Sequence, residues 1–421
     1  MQRRVFIVAG YNTVSLGSGR SEFNPKKKNP GLEHYIQEAG RKTLEQIKGA
    51  VNVDESVIGN FMASRFNNQA HLAAFIPSID PELKYKPSVR VEGACASGGL
   101  AVMTGVKSIL AGTADVVLAL GVEVQNTVKA MYGADYLAQA DFYKKRKNGH
   151  AYFFPGKFSD RAGAYAKAWG EEYMRKGMAK WYVNCIENAR LCETAQEYEN
   201  KNERLMETGL LPPDGSRFVD NLNYTDCSKV SDGASSIAIV SEEGLKRCGV
   251  SIEDAIELVG FAQAEDNIME EPVDYLELST TKAAVQRAMQ MAGISKEQLA
   301  TVETHDCFTI AGVLATEAIG FADKGKGAAF VAEGNTARNG SIPFNTTGGL
   351  IAWGHPTGAT GVHQVVTIWE QLTGKAGSAQ IEIQNDKPYA LTVNMGGNDK
   401  TVVSMVFKKV IKKIISLSQL K

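Results

Sequence analysis

Four short stretches of this 421-residue chain carry side chains able to make and break bonds. The first, Glu92-Gly93-Ala94-Cys95-Ala96-Ser97-Gly98-Gly99, follows an extended run (Ser88 to Val91) and leads into an apolar helical pattern, so Cys95 stands at a strand-to-helix corner. First-turn N–H groups of a helix lack partners within it and carry partial positive charge. They favour thiolate over thiol and bind an oxyanion forming beside the sulfur. Cys95 is therefore a candidate nucleophile whose small neighbours leave room for a substrate. The competing reading is an inert thiol among small residues that let a helix pack closely on a sheet.

The second stretch, Thr304-His305-Asp306-Cys307-Phe308, groups an imidazole, a carboxylate and a second thiol at another such corner. Adjacent side chains on a turn diverge and the sequence has no other ligand cluster, so no metal is expected. A helix-capping Asp306 with a packed Cys307 is the structural alternative. The third runs from Asn345 to Gly349 and from Gly354 through His355 to Gly361. Glycine inside a helix costs roughly 1 kcal/mol against alanine, so this density implies a tight backbone around His355 or its ligand. A phosphate-binding loop would need GxxxxGK[ST], which is absent. The fourth, Val393-Asn394-Met395-Gly396-Gly397, ends a strand where backbone N–H groups could point into a cleft, or where the chain simply turns.

Periodicity supplies the elements that must position these residues. Strands are expected at 3–9, 57–63, 115–121, 235–240, 256–262, 301–304, 389–393 and 401–407. Helices are expected at 32–47, 69–76, 95–110, 162–176, 183–199, 281–291, from Ser295, at 308–319 and at 349–372. This is an α/β pattern with a parallel or mixed sheet. The alternation breaks between Glu123 and Lys229 in a segment rich in Tyr, Lys, Glu and Asn, which reads as a large insertion between two halves of similar grammar.

Lys plus Arg number 46 against 47 for Asp plus Glu, so no global field recruits nucleic acid or an acidic membrane. The six cysteines form no CxxC pair or regular framework, which suits free thiols in a reducing compartment. With no presequence recognised, a cytoplasmic location is expected, or a mitochondrial or peroxisomal one in a eukaryote. No apolar segment reads as long enough to span a membrane. The basic amphipathic end, Lys408 to Lys421, reads as a solvated extension.

Together the CAS at Cys95, the GHPxGATG at His355 and the closing NMGG resemble the thiolase superfamily over nearly the whole chain. The HDCF at His305 to Phe308 resembles the branch typified by sterol-carrier-protein thiolases, where most thiolases have NEAF. The resemblance implies a thiolase-like fold of two similar α/β halves in a five-layered core, with an inserted loop domain that helps bind coenzyme A. The corresponding divisions are 1–122 (first part of the N-terminal half), 123–230 (insertion), 231–250 (last strand of that half), 251–408 (C-terminal half) and 409–421 (extension).

It further implies an acyl-CoA C-acyltransferase that makes or cleaves 3-ketoacyl-CoA without a metal or redox cofactor. Cys95 would be acylated and His355 would activate it. His305 and His355 would donate to one thioester oxygen, and the N–H groups of Cys95 and Gly396 would hold the other oxyanion. Most thiolases have a second cysteine where this chain has Asn394; Cys307 would take over its proton transfer. The family implies a homodimer or dimer of dimers. Lys144 to Lys147 are candidate coenzyme A phosphate contacts, or a solvated face. The rivals are another condensing enzyme of the superfamily and a non-catalytic acyl-CoA-binding or complex-forming protein.

Overall fold

A computed structural model describes residues 3–145 and 152–410. Nine strands form: β1 Val5–Asn12, β2 Glu55–Gly59, β3 Ser88–Val91, β4 Val116–Glu123, β5 Gly233–Val240, β6 Ile256–Glu265, β7 Leu299–Thr304, β8 Tyr389–Gly396 and β9 Thr401–Lys409. They join in the order β3-β2-β4-β5-β1-β6-β9-β8-β7. In the first half β1 runs antiparallel to β5, β5 antiparallel to β4, and β4 and β3 parallel to β2. The second half repeats this: β6 antiparallel to β9, β9 antiparallel to β8, β8 parallel to β7, and a parallel bridge from Val302 to Phe344 in the place of the outermost strand. The two units of similar grammar are thus one topology used twice, joined where Val5 to Ile7 meet Leu258 to Ile256.

Side-chain alternation builds the layers. On β4, Val116, Leu118, Leu120 and Val122 face an outer core shared with Leu32, Tyr35 and Ile36 of the Leu32–Leu44 helix. Val117 and Ala119 face the opposite way, onto the Ser97–Ala111 and Thr360–Thr373 helices. From the other half, Val403, Met405 and Phe407 of β9 join this central core, while Val402 and Val406 face the second outer core. The result is helices, half-sheet, two central helices, half-sheet, helices.

The glycines of the first and third stretches allow the central helices to touch. A Cβ on Gly98 would lie 2.7 Å from the Gly361 nitrogen, and one on Gly361 would lie 2.1 Å from that of Gly99. The two chemistry-bearing corners therefore meet at the middle of the molecule.

Several expectations are corrected. The stretch Ala94–Ala111 is long and apolar enough to cross a membrane, contrary to the sequence reading; here it forms the central helix and its approach. The helix expected at 349–372 is interrupted: one turn, Gly349–Ala352, gives way to a loop through Gly354 (φ 112°) before Thr360–Thr373, which puts His355 on the loop. Instead of helices at 162–176 and 183–199, the chain forms Phe153–Trp169 and Glu171–Ala189, broken at Gly170 (φ 104°). The run 69–76 forms only a tight 3₁₀ turn, Leu72–Ser78, with Pro77 inside it. Phe158, Trp181 and Ile186 of the insertion share a core with Ile310 and Val313 of the Thr309–Ile319 helix, so a segment inserted into the first half packs on the second. Of the basic tail and the Lys144–Lys147 run, residues 411–421, Arg146 and Lys147 lie outside the described residues. Lys144 and Lys145 are exposed, and Lys145 donates to the Met269 carbonyl.

Candidate active site

Ala94 adopts a left-handed backbone (φ 52°), a strained conformation for a side-chain-bearing residue, and this turns the chain so that half-buried Cys95 stands just before the central helix. His305 follows the end of β7, and His355 sits on the loop opposite. The fold brings all three together: the Cys95 sulfur and one nitrogen of each imidazole lie within 4.8 Å of one another. The rings meet edge to face, 5.1 Å between centroids at 85°. This corrects the inference that no cluster with ligand-type atoms exists, since a cluster spread over three stretches leaves no spacing signature.

Electrostatics correct a second expectation. Burial, reinforced by the Glu123 carboxylate, pushes the Cys95 thiol up to about 12, although the N–H groups of Gly397 and of Cys95 itself pull it down. The resting Cys95 side chain is therefore a thiol at neutral pH, and only with a base beside it could it attack as a thiolate. Burial lowers His355 to about 3, and burial with the neighbouring His355 holds His305 well below the usual imidazole range, so both rings are neutral at pH 7. His355 Nδ1 lies 2.7 Å from the Thr360 hydroxyl, while its Nε2 is buried without a hydrogen-bond partner, the arrangement of a base awaiting a proton.

Cys307 is buried, and burial followed by the nearby Cys95 raises its thiol well above the ordinary value. Its carbonyl accepts from the Ser228 N–H at 2.8 Å, tying the end of the insertion to this corner. Asp306 is no cap of its own helix. Its carboxylate accepts from Trp181 Nε1 (2.9 Å), the Leu350 N–H (2.7 Å) and the Cys185 thiol (3.3 Å), anchoring the His305 corner to two other elements.

Gly396 lies at the end of β8, where a Cβ would come within 2.3 Å of the Gly93 carbonyl, so only glycine permits this approach to the Cys95 turn. The backbone N–H from this strand end that acts on the Cys95 sulfur is that of Gly397, the next residue. Asn394 is no vacant substitute for a cysteine: its amide touches Cys95, Gly99 and His305.

Sequence reasoning missed Glu123. It ends the apolar run of β4 as a fully buried carboxylate, and accepts from Asn60 Nδ2 (3.0 Å), the N–H groups of Phe61 (2.9 Å), Met62 (3.0 Å) and Gly358 (3.1 Å), and the Thr357 hydroxyl (2.9 Å). It thereby ties the His355 loop to the first half. Burial raises its pKa against the pull of these donors. A charge closing an otherwise apolar strand was the available signal.

Residues 5–200 match the family model for the thiolase N-terminal domain, and residues 262–409 that for the thiolase C-terminal domain-like family. An acetyl-CoA acetyltransferase of Methanothermobacter thermautotrophicus is 32% identical over 378 residues, 89% of this chain and 94% of that protein. One from Methanocaldococcus jannaschii is 32% identical over 395 residues, 92% and 96% of the two chains. Human sterol carrier protein 2 is 27% identical over 427 residues, covering 96% of this chain and 72% of the relative. Among solved structures, human mitochondrial 3-ketoacyl-CoA thiolase in complex with CoA superposes with a TM-score of 0.65 at 17% identity, over 97% of this chain and 98% of the other. The Ltp2–ChsH2(DUF35) aldolase gives 0.75 at 19% identity over the same shares. With both halves matched and the fold repeated twice around a cysteine and two histidines, the chain belongs to the thiolase family and is an acyltransferase acting on coenzyme A thioesters.

Proposed function

We propose that this thiolase forms and cleaves 3-ketoacyl-CoA through an acyl group on Cys95, with Cys307 moving the proton on carbon. The convergence of the Cys95 sulfur with His305 and His355 carries this reading. His355 Nε2 takes the thiol proton as the sulfur attacks an acyl-CoA carbonyl; collapse of the tetrahedral intermediate expels the coenzyme A sulfur, which takes that proton back. His305 donates to an oxygen that gains charge, a role typically worth on the order of 3 kcal/mol in the transition state.

In cleavage, Cys95 attacks the ketone carbon as its proton passes to His355, the departing carbanion takes a proton from Cys307, and Cys307 regains one from His355. In synthesis Cys307 passes its proton to the freed His355, the resulting thiolate removes a proton from the carbon beside the thioester of a second acyl-CoA, and the carbanion displaces Cys95, which takes the proton held by His355. A thiol held protonated by burial is suited to the acid role in cleavage.

Intact-mass and peptide spectrometry after treatment with a short acyl-CoA, beside thiolysis kinetics, tests the division of labour. Cys95→Ala should take no acyl group. Cys307→Ala should still acquire it on Cys95 but lose thiolysis and condensation by about 10²–10⁴-fold. An adduct mapped to Cys307, or full turnover of Cys307→Ala, would overturn the assignment.

A homodimer completes the proposal. Strand β3 pairs with β2 alone among the described strands and leaves Val89 exposed, and a free edge of this kind needs a cover such as the same strand of a second copy. Light scattering showing a monomer throughout the micromolar range would count against it. The six free thiols support a reducing location, the cytoplasm being the simplest.

A further inference from the structure

The Asn394 side chain is held by partners that leave its orientation no freedom. The Gly99 N–H, which only donates, lies 2.9 Å from Oδ1. The Cys95 carbonyl, which only accepts, lies 3.0 Å from Nδ2. The oxygen and nitrogen of the amide are thus assigned by backbone groups whose roles cannot reverse. The remaining Nδ2 hydrogen faces His305 Nδ1 at 3.3 Å, so that nitrogen presents a lone pair. A neutral ring with a bare Nδ1 carries its hydrogen on Nε2.

The second ring is set the other way. His355 Nδ1 lies 2.7 Å from the Thr360 hydroxyl, which lies 3.3 Å from the Pro356 carbonyl and donates to it. The chain that satisfies every member runs from His355 Nδ1–H to Thr360 and from Thr360 to Pro356. This leaves His355 Nε2, buried and unpartnered, as the lone pair.

We infer that Asn394 and Thr360 are positioning residues that hold the two active-site imidazoles in opposite tautomers, His305 as an Nε2–H donor and His355 as an Nε2 acceptor. Two rings of the same charge then do different work: one receives the thiol proton while the other already offers a hydrogen to the oxygen gaining charge. The lock also bears on the cluster's ligand-type atoms. With Nδ1 taken by Asn394 and Nε2 protonated, His305 has no lone pair free for a metal ion. The catalytic consequence rests on the acyl-enzyme reading above, but the tautomers belong to the resting protein and are read without turnover.

The test is nitrogen NMR of protein carrying ¹⁵N-histidine, in which His305 and His355 signals are assigned by their loss in His305→Asn and His355→Asn. Wild type should show His305 protonated on Nε2 and His355 on Nδ1. Asn394→Asp keeps an acceptor for Gly99 but turns an oxygen toward His305 Nδ1; it should move that proton to Nδ1 and lower kcat by about 10²–10³-fold, the loss of one oxyanion donor. Asn394→Ala releases the ring and also strips the Gly99 N–H and the Cys95 carbonyl of their partner, but turns no acceptor toward His305 Nδ1, so it should not move the His305 proton to Nδ1. Thr360→Val should slow acylation of Cys95, and Thr360→Ser should restore it. Wild-type His305 protonated on Nδ1, or Asn394→Asp with unchanged ring signals and turnover, overturns the inference. If Asn394→Asp does not fold, the wild-type spectrum and the Thr360 pair still decide it. Opposite tautomers in a protein that takes no acyl group would uphold this inference and refute the acyl-enzyme reading.

Discussion

Glu123→Gln changes one atom of the carboxylate that joins the two halves at the active site. In one orientation its new NH₂ group replaces Oε1 and faces Asn60 Nδ2 and the Met62 N–H, both donors. Asn60 cannot turn its amide to help, because its oxygen already accepts from the Ala63 N–H at 3.1 Å and Arg90 at 2.9 Å. In the other orientation the NH₂ group faces Phe61 N–H, Gly358 N–H and the Thr357 hydroxyl, of which only the hydroxyl can reverse. Each orientation thus strands two fixed buried donors. At about 1–3 kcal/mol per donor, the loss is roughly 2–6 kcal/mol. This is a large share of the stability of an ordinary domain. Because Thr357 and Gly358 follow His355 by two and three residues, the rate of Cys95 acylation should fall as well. Denaturant unfolding followed by circular dichroism gives the first quantity, and stopped-time intact-mass spectrometry with an acyl-CoA gives the second. A stability loss below about 0.5 kcal/mol, the range of surface substitutions, would refute the reasoning.

Three further outcomes are expected. Because the Cys95 thiol is pushed up to about 12, its alkylation by iodoacetamide should rise about tenfold per pH unit from near neutrality with no plateau below about pH 10; a midpoint near 7 would show a thiolate stabilised as the sequence suggested. Glu303, accepting from the Thr346 N–H at 2.8 Å and its hydroxyl at 3.0 Å, is raised by burial to about 8. A carboxyl whose pKa is raised on folding contributes stability below its unfolded value and loses it as pH climbs through the folded one. Wild type should therefore lose on the order of 4–5 kcal/mol between about pH 4.5 and 8 from this group. The Glu303→Gln variant should lack that slope in Tm against pH, and parallel profiles would contradict the assignment. Incubation with EDTA should leave thiolysis unchanged, since the proposed steps are carried by the chain's own thiols and imidazoles; loss restored by a divalent ion would refute this.

The sequence by itself determined the local grammar and the residues brought to the site. Strand and helix periods mark most elements because a face that is buried must be apolar at period two or 3.6. The corners at Cys95, His305, His355 and Gly396 are visible as breaks in that pattern. The glycines at 98, 99 and 361 announce a close backbone approach without saying to what.

Only the tertiary structure decided how those residues behave. The thiolate expectation for Cys95 followed from a helix N-terminus alone; burial and the carboxylate of Glu123, from another strand, outweigh it. Asn394 reads as a missing cysteine, yet its partners Gly99 and His305 lie 295 and 89 residues away. The meeting of Cys95, His305 and His355 likewise has no spacing of its own. Local conformation depends on neighbours along the chain, which a sequence displays; protonation and hydrogen-bond direction depend on solvent exclusion and on atoms adjacent in space, which exist only once the two halves have closed on each other.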